Sequence, residues 1–112
     1  MRRDEAYLLD ILIAARKAQK FVSGIDWEGF NKNELVQHAV MRPLEIIGEA
    51  ARLVSQETKD AHPEIPWLGM IGMRNRLIHK YFRVNLETVW KTIQNDIGTL
   101  ISLIEPIVPP EE

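Results

Sequence analysis

The sequence predicts an all-α fold, a bundle of four main helices with short extra turns being the most economical arrangement, and three observations carry the prediction. Four long segments place apolar residues at intervals of three and four, the period of a helix with one buried face. The stretches between them hold the chain's breakers, among them Gly24 and the His62-Pro63 and Ile65-Pro66 pairs. Nowhere does the chain alternate apolar and polar residues as a half-buried strand does. At 112 residues the chain fits a single domain (1–112) that buries roughly two-thirds of its extended-chain surface without a metal or disulfide staple.

The first helix is expected over Asp4 to Val22, with Leu8, Ile11, Leu12, Ala15, Ala18 and Val22 on its buried face. Gly24 is placed to end it, and Asp26 to cap a short turn that tucks Trp27 and Phe30 under the bundle. The second pattern runs from about Asn33 to Glu57 through Leu35, Val36, Ala39, Val40, Leu44, Ile47, Ala50, Ala51 and Val54. Pro43 lies in its middle, removing one backbone hydrogen bond and predicting a kink near Ala39 to Arg42. Thr58 to Pro66 reads as a linker with a helical turn before it. Pro66 suits the first position of a third helix, which reaches about Lys80. Gly69 and Gly72 weaken that helix in isolation and predict a neighbouring helix lying across them. Asn85 is a cap for the last helix, with Leu86, Val89, Trp90, Ile93, Ile97, Leu100, Ile101 and Ile104 as its face, ended by Pro106, Pro109 and Pro110.

Composition narrows the functional classes. No cysteine is present, which excludes a disulfide framework and a thiolate zinc site and is compatible with a cytoplasmic protein. Arg2 and Arg3 are followed by Asp4 and Glu5, so the N-terminus does not read as a signal peptide, and no run is long and apolar enough to span a membrane. A net charge of -2 argues against coating nucleic acid through bulk charge. Locally, Arg74, Arg76, Lys80 and Arg83 put four cations in ten residues with no acid among them. On an ordinary surface helix such a run is a solvated face. Beside a reactive histidine it can steer a polyanion.

That histidine is His79. Met73-Arg74-Asn75-Arg76-Leu77-Ile78-His79-Lys80-Tyr81-Phe82 gathers an imidazole, two guanidiniums, an amide and a phenol within a few helical turns. Imidazole moves protons near neutrality, and guanidinium holds phosphate oxygens and offsets charge that builds on them. RNA carries its own nucleophile, the 2′-hydroxyl, so its cleavage requires neither an enzyme nucleophile nor a metal. On an ideal helix Asn75 and His79 lie about 40° apart, Arg74 and Tyr81 about 20°, and Arg74 and His79 about 140°. Ile71 and Ile78 lie between the two pairs. An apolar ridge flanked by Arg74 and His79 is a surface that two copies can bury around a two-fold axis, converging both residues in one composite cleft.

The spacing of Arg74, Asn75, His79 and Tyr81 resembles the signature of HepT-like toxins of the HEPN superfamily, small helical ribonucleases. Met41-Arg42-Pro43-Leu44-Glu45-Ile46-Ile47-Gly48-Glu49-Ala50, His62-Pro63-Glu64-Ile65-Pro66-Trp67 and Asn85-Leu86-Glu87-Thr88-Val89-Trp90 extend the likeness from Tyr7 to about Ile104. Pro43 departs from the residue usual in that family. The resemblance implies a metal-independent endoribonuclease toxin of a type VII toxin–antitoxin pair, without cofactors, acting on RNA rather than DNA as a homodimer. It implies Arg74 and His79 as catalytic residues; from the residues themselves Asn75 reads as supporting, orienting His79 or bonding backbone, and Arg76, Lys80 and Arg83 read as surface charges that are secondary candidates for RNA contact. It further implies that an MntA-like nucleotidyltransferase antitoxin transfers AMP to Tyr81 and so silences the toxin. The same residues also serve a second reading, a non-catalytic helical dimer that binds and regulates a partner nucleotidyltransferase.

Elsewhere the residues favour structure over chemistry. Glu45 and Glu49 stand one turn apart, but a di-iron bundle also needs Glu-x-x-His, which the chain lacks. They are expected to pair with Arg42, Arg52 or the motif arginines. Trp27, Trp67 and Trp90 sit on different elements and read as packing anchors rather than a stacking platform for bases.

Overall fold

The structure, a computed structural model, describes residues 2–80 and 83–109. Its elements follow the local chemistry closely. Helix α1 spans Arg2–Phe21 and is released at Gly24, whose φ of 77° is a conformation glycine adopts without strain. The short α2 (Trp27–Lys32) begins where the Asp26 carboxylate accepts from the Gly29 amide at 2.8 Å. Asn33 then caps α3 (Glu34–Leu53), accepting from Val36 N at 3.1 Å. Ser55 caps α4 (Gln56–Ala61). Helix α5 spans Trp67–Lys80 directly after Pro66. Asn85 accepts from Thr88 N at 3.1 Å and opens α6 (Leu86–Lys91). A π-helical turn over Thr92–Asp96 joins α6 to α7 (Ile97–Ile104), and a 3-10 turn over Glu105–Ile107 follows. Among the described residues there is no strand, and the fold is all-α as the periodicity predicts.

The second pattern divides where the sequence reads as continuous. Helix α3 stops at Leu53, Val54 turns to extended backbone while remaining buried, and Ser55 starts the next helix. Pro43 is buried inside α3, which is helical on both sides of it. The π turn answers a spacing problem in the last segment. Val89, Ile93, Ile97, Leu100 and Ile104 are all buried, and two consecutive steps of four drift about 40° each on a regular α-helix. A turn with i to i+5 hydrogen bonds takes up that drift and keeps the row on one line.

Helix α3 is the centre of the molecule, packed along α1 on one side and α5 on the other, while α7 returns along α1. No comparable packing joins α5 to α7. The bundle is therefore open on that side, and a cleft of about 420 Å³ lies there above Leu44 and Ile47 of α3. Trp27, Phe30 and Trp90 close one end as an aromatic cluster with centroids 5.1 to 6.3 Å apart, confirming two of the three tryptophans as anchors. Trp67 is buried and donates its indole N–H to His62 O at 3.0 Å.

Two features were not predicted. Asp4 is buried at 3% exposure and joins the start of α1 to the start of α4, accepting from Ser55 N at 3.0 Å and from the Ser55 and Thr58 hydroxyls. The glycine that permits close helix approach is Gly48, not Gly69 or Gly72. A Cβ at Gly48 would stand 2.2 Å from Arg74 Cβ and 2.6 Å from Met70 O, whereas one at Gly69 would meet only Pro66 and one at Gly72 nothing within 4 Å. Gly69 and Gly72 face outward because α5 buries its other side. Among the described residues no helix is long and apolar enough to cross a membrane.

Candidate functional site

Helix α5 buries Trp67, Met70, Met73 and Leu77 against the bundle. That choice of face decides where the polar residues go. Arg74 is next to the buried arc and keeps 24% of its side chain exposed, while Asn75, Arg76, His79 and Lys80 are exposed. Ile71 and Ile78 are half-buried, and Leu68, on the same outward side, is 85% exposed. The surface between Arg74 and His79 is thus apolar and open to solvent on the single chain, as the helical wheel requires.

Arg74 is seated rather than free. Its Cβ and Cγ lie on the bare backbone of Gly48, and its Nε stands 2.9 Å from Glu49 Oε2. The N–H is poorly aligned with that oxygen, which is fully covered and makes no hydrogen bond of good geometry, so charge holds the contact. The other Glu49 oxygen accepts from Arg52 Nη2 at 2.8 Å. Hydrogen bonding and charge from Arg52, with Arg74 adding to them against the cost of burial, hold the Glu49 carboxyl below its ordinary range. Arg74 Nη1 donates to Asn75 Oδ1 at 3.0 Å. Asn75 is therefore fixed on Arg74, not on His79. An ion pair this exposed stabilises a fold by roughly 0–1 kcal/mol, so orientation is its larger effect.

The remaining cations form a separate group. Arg76, Lys80 and Arg83 line a hollow of about 90 Å³ between the end of α5 and α6, and Arg76 also borders the larger cleft beside α7. Among the described residues none of the three has a carboxylate within ion-pair distance. Tyr81 lies outside the described residues. Glu45 pairs with Arg42 at 3.4 Å rather than with a motif arginine. Among the described residues no three His, Asp or Glu side chains are grouped to hold a metal ion. Sequence reasoning named Glu49 as one of several partners for Arg74 but missed Gly48 beneath it and the exposed Leu68. The one available signal for Gly48 was its place in mid-helix, where glycine is costly without a packing reason.

Comparison with known proteins bears on this geometry. The family model "Ribonuclease HepT-like" matches residues 11–107, a span that includes α3, all of α5 and Arg74 to His79. A Methanocaldococcus jannaschii protein named "Putative RNase MJ1380" is 39% identical over 105 residues, 93% of this chain and 96% of that protein. A Thermococcus cleftensis protein named "Probable ribonuclease HepT" is 42% identical over 106 residues, 95% of this chain and 96% of that protein. A Caldanaerobacter subterraneus protein named "Putative RNase TTE0752" is 37% identical over the full length of both chains. No solved structure matches. With nearly the whole length shared and the family model covering both flanking helices and the Arg74–His79 segment, the chain belongs to the HepT-like ribonuclease family.

Proposed function

We propose that this chain is a metal-independent endoribonuclease, the toxin of a type VII toxin–antitoxin pair, acting as a homodimer. The observation that carries the proposal is the outward face of α5: a seated Arg74 and an exposed His79 flank an uncovered ridge of Leu68, Ile71 and Ile78. Two copies meeting on that ridge bring two arginines and two histidines to one cleft. There one His79 imidazole takes the proton of the 2′-hydroxyl as its oxygen attacks the adjacent phosphorus. Arg74 binds the phosphate and offsets the added charge. The P–O5′ bond breaks, and the departing oxygen takes that proton from the same imidazole, now imidazolium, so that one Arg74 and one His79 complete the reaction. The products are a 2′,3′-cyclic phosphate and a 5′-hydroxyl. Arg76, Lys80 and Arg83 lie to one side of this cleft and suit the RNA backbone beyond the cut.

The test is incubation of the purified protein with total RNA and tRNA in excess chelator, beside His79→Ala and Arg74→Ala. Cleavage by the parent alone, with cyclic phosphate ends, is the expected outcome. RNA left intact by the parent, including after enzymatic removal of any AMP, would favour the non-catalytic partner of a nucleotidyltransferase. Family membership also supports a nucleotidyltransferase antitoxin that transfers AMP to Tyr81, placing phosphate charge in a cleft built for phosphate. Tyr81→Phe is expected to escape neutralisation by the active antitoxin in a growth assay. Normal neutralisation of that variant, with no AMP on the protein, would refute the role.

A further inference from the structure

We infer that Glu49 is the positioning residue of Arg74, and that Gly48 and Glu49 together form a seat on α3 that aims one edge of the guanidinium outward. The inference rests on the ribonuclease reading above and deepens it. Three contacts converge on one side chain. The stem of Arg74 is laid on the α3 backbone, since a Cβ at Gly48 would fall 2.2 Å from Arg74 Cβ and 3.1 Å from Arg74 Cγ. The Nε edge faces the covered oxygen of Glu49 at 2.9 Å. Nη1 is held by Asn75 at 3.0 Å. Among the described residues Arg74 is engaged through Nε and Nη1, and the donors on Nη2 face no partner and can take a phosphate oxygen.

Charge counting explains why a carboxylate beside a phosphate-binding arginine does not cancel its purpose. Glu49 is shared between Arg52 and Arg74, two cations on one anion, so the triad keeps a net positive charge. Glu49, whose titration lies below the ordinary 4.5 chiefly through the Arg52 hydrogen bond, is ionised at neutral pH. A guanidinium already fixed in place loses little freedom when the charge on phosphate develops, which is the condition under which a donor stabilises a transition state most. A purely structural tie between α3 and α5 accounts for the contact less well. The α5 side of that packing is already apolar, through Trp67, Met70, Met73 and Leu77, and a pair this exposed adds little to it.

Glu49→Gln in the full-length chain tests the assignment, since it keeps side-chain volume and removes the charge. In steady-state RNA cleavage, kcat is expected to fall roughly 10- to 100-fold with KM nearly unchanged, and Glu49→Asp to recover part of the loss. In ¹H–¹⁵N spectra the Arg74 Nε–H, which faces the covered Glu49 oxygen, is expected to exchange slowly with solvent in the parent and faster in Glu49→Gln. An unchanged kcat or an unchanged Nε–H would each overturn the inference. A parent chain that cuts no RNA would instead overturn the ribonuclease reading, and the Nε–H exchange would still decide the role of Glu49.

Discussion

Asp4 shows how far a single residue can depart from its appearance in sequence. Near the start of a helix an acidic residue reads as a partner for the helix dipole, exposed to water. Here it is buried and ties together residues 51 and 54 positions away. Nothing in the spacing of α1 signals this, because the contact depends on where α4 begins. Burial alone would raise its carboxyl titration, but hydrogen bonds from the Ser55 and Thr58 side chains and the Ser55 amide outweigh that, so its folded value lies below the ordinary 3.8. The sign follows from linkage: a depressed folded value gives stability that is complete above 3.8 and is lost as pH falls through the lower folded value. Asp4→Ala is expected to cost about 2 to 3 kcal/mol at neutral pH, since it strands donors that a charged acceptor had satisfied. Urea unfolding of parent and variant from pH 7 down to pH 2 would check this. The gap between them should narrow only below pH 3.8.

Helix starts were the most legible elements, and helix contacts the least. Asp26 and Asn85 are local signals, a side-chain oxygen before an apolar period, and both cap as read. The end of α3 was not legible because Val54 continues the apolar period after the helix has stopped. The π turn was not legible because a run of fours is read as a loose α-helix until the partners of Val89 and Ile97 are known. Glycines were misassigned for the same reason: a helix sequence shows that glycine is present but not which face its neighbour occupies. With α3 and α5 in view, Gly48 is the point of closest approach. Gly48→Ala should push α5 from α3, costing about 1–3 kcal/mol by overpacking, despite alanine's better helix propensity. Chemical denaturation measures the loss. Gly72→Ala, with open space around the new Cβ, should instead stabilise the chain by up to about 1 kcal/mol.

At the scale of the molecule, the fold class was written in periodicity, while in the proposed homodimer the site residues take their meaning from a second chain. Arg74 and His79 are about 140° apart on α5, with Asn75 bound to Arg74 rather than bridging to His79, and a single helix cannot turn both toward one phosphate. The uncovered Leu68 beside Ile71 and Ile78 supplies the surface on which two chains would meet. Leu68→Glu is therefore expected to yield a monomer in sedimentation velocity and to lose cleavage. Its thermal stability as a monomer should hardly change, since Leu68 is 85% exposed in the isolated chain. A stronger test uses two inactive proteins. If Arg74 of one protomer works with His79 of the other, then Arg74→Ala and His79→Ala homodimers are both dead, and a mixed dimer retains one complete pair. Unfolding and refolding an equimolar mixture gives mixed dimers as about half of the population, each with one of two pairs, so about a quarter of parental activity should return. If Arg74 and His79 instead work within one chain, neither chain of the mixed dimer has a complete pair. Activity would then stay at the level of the separate variants, and the composite cleft would be wrong even though the mixed dimers had formed.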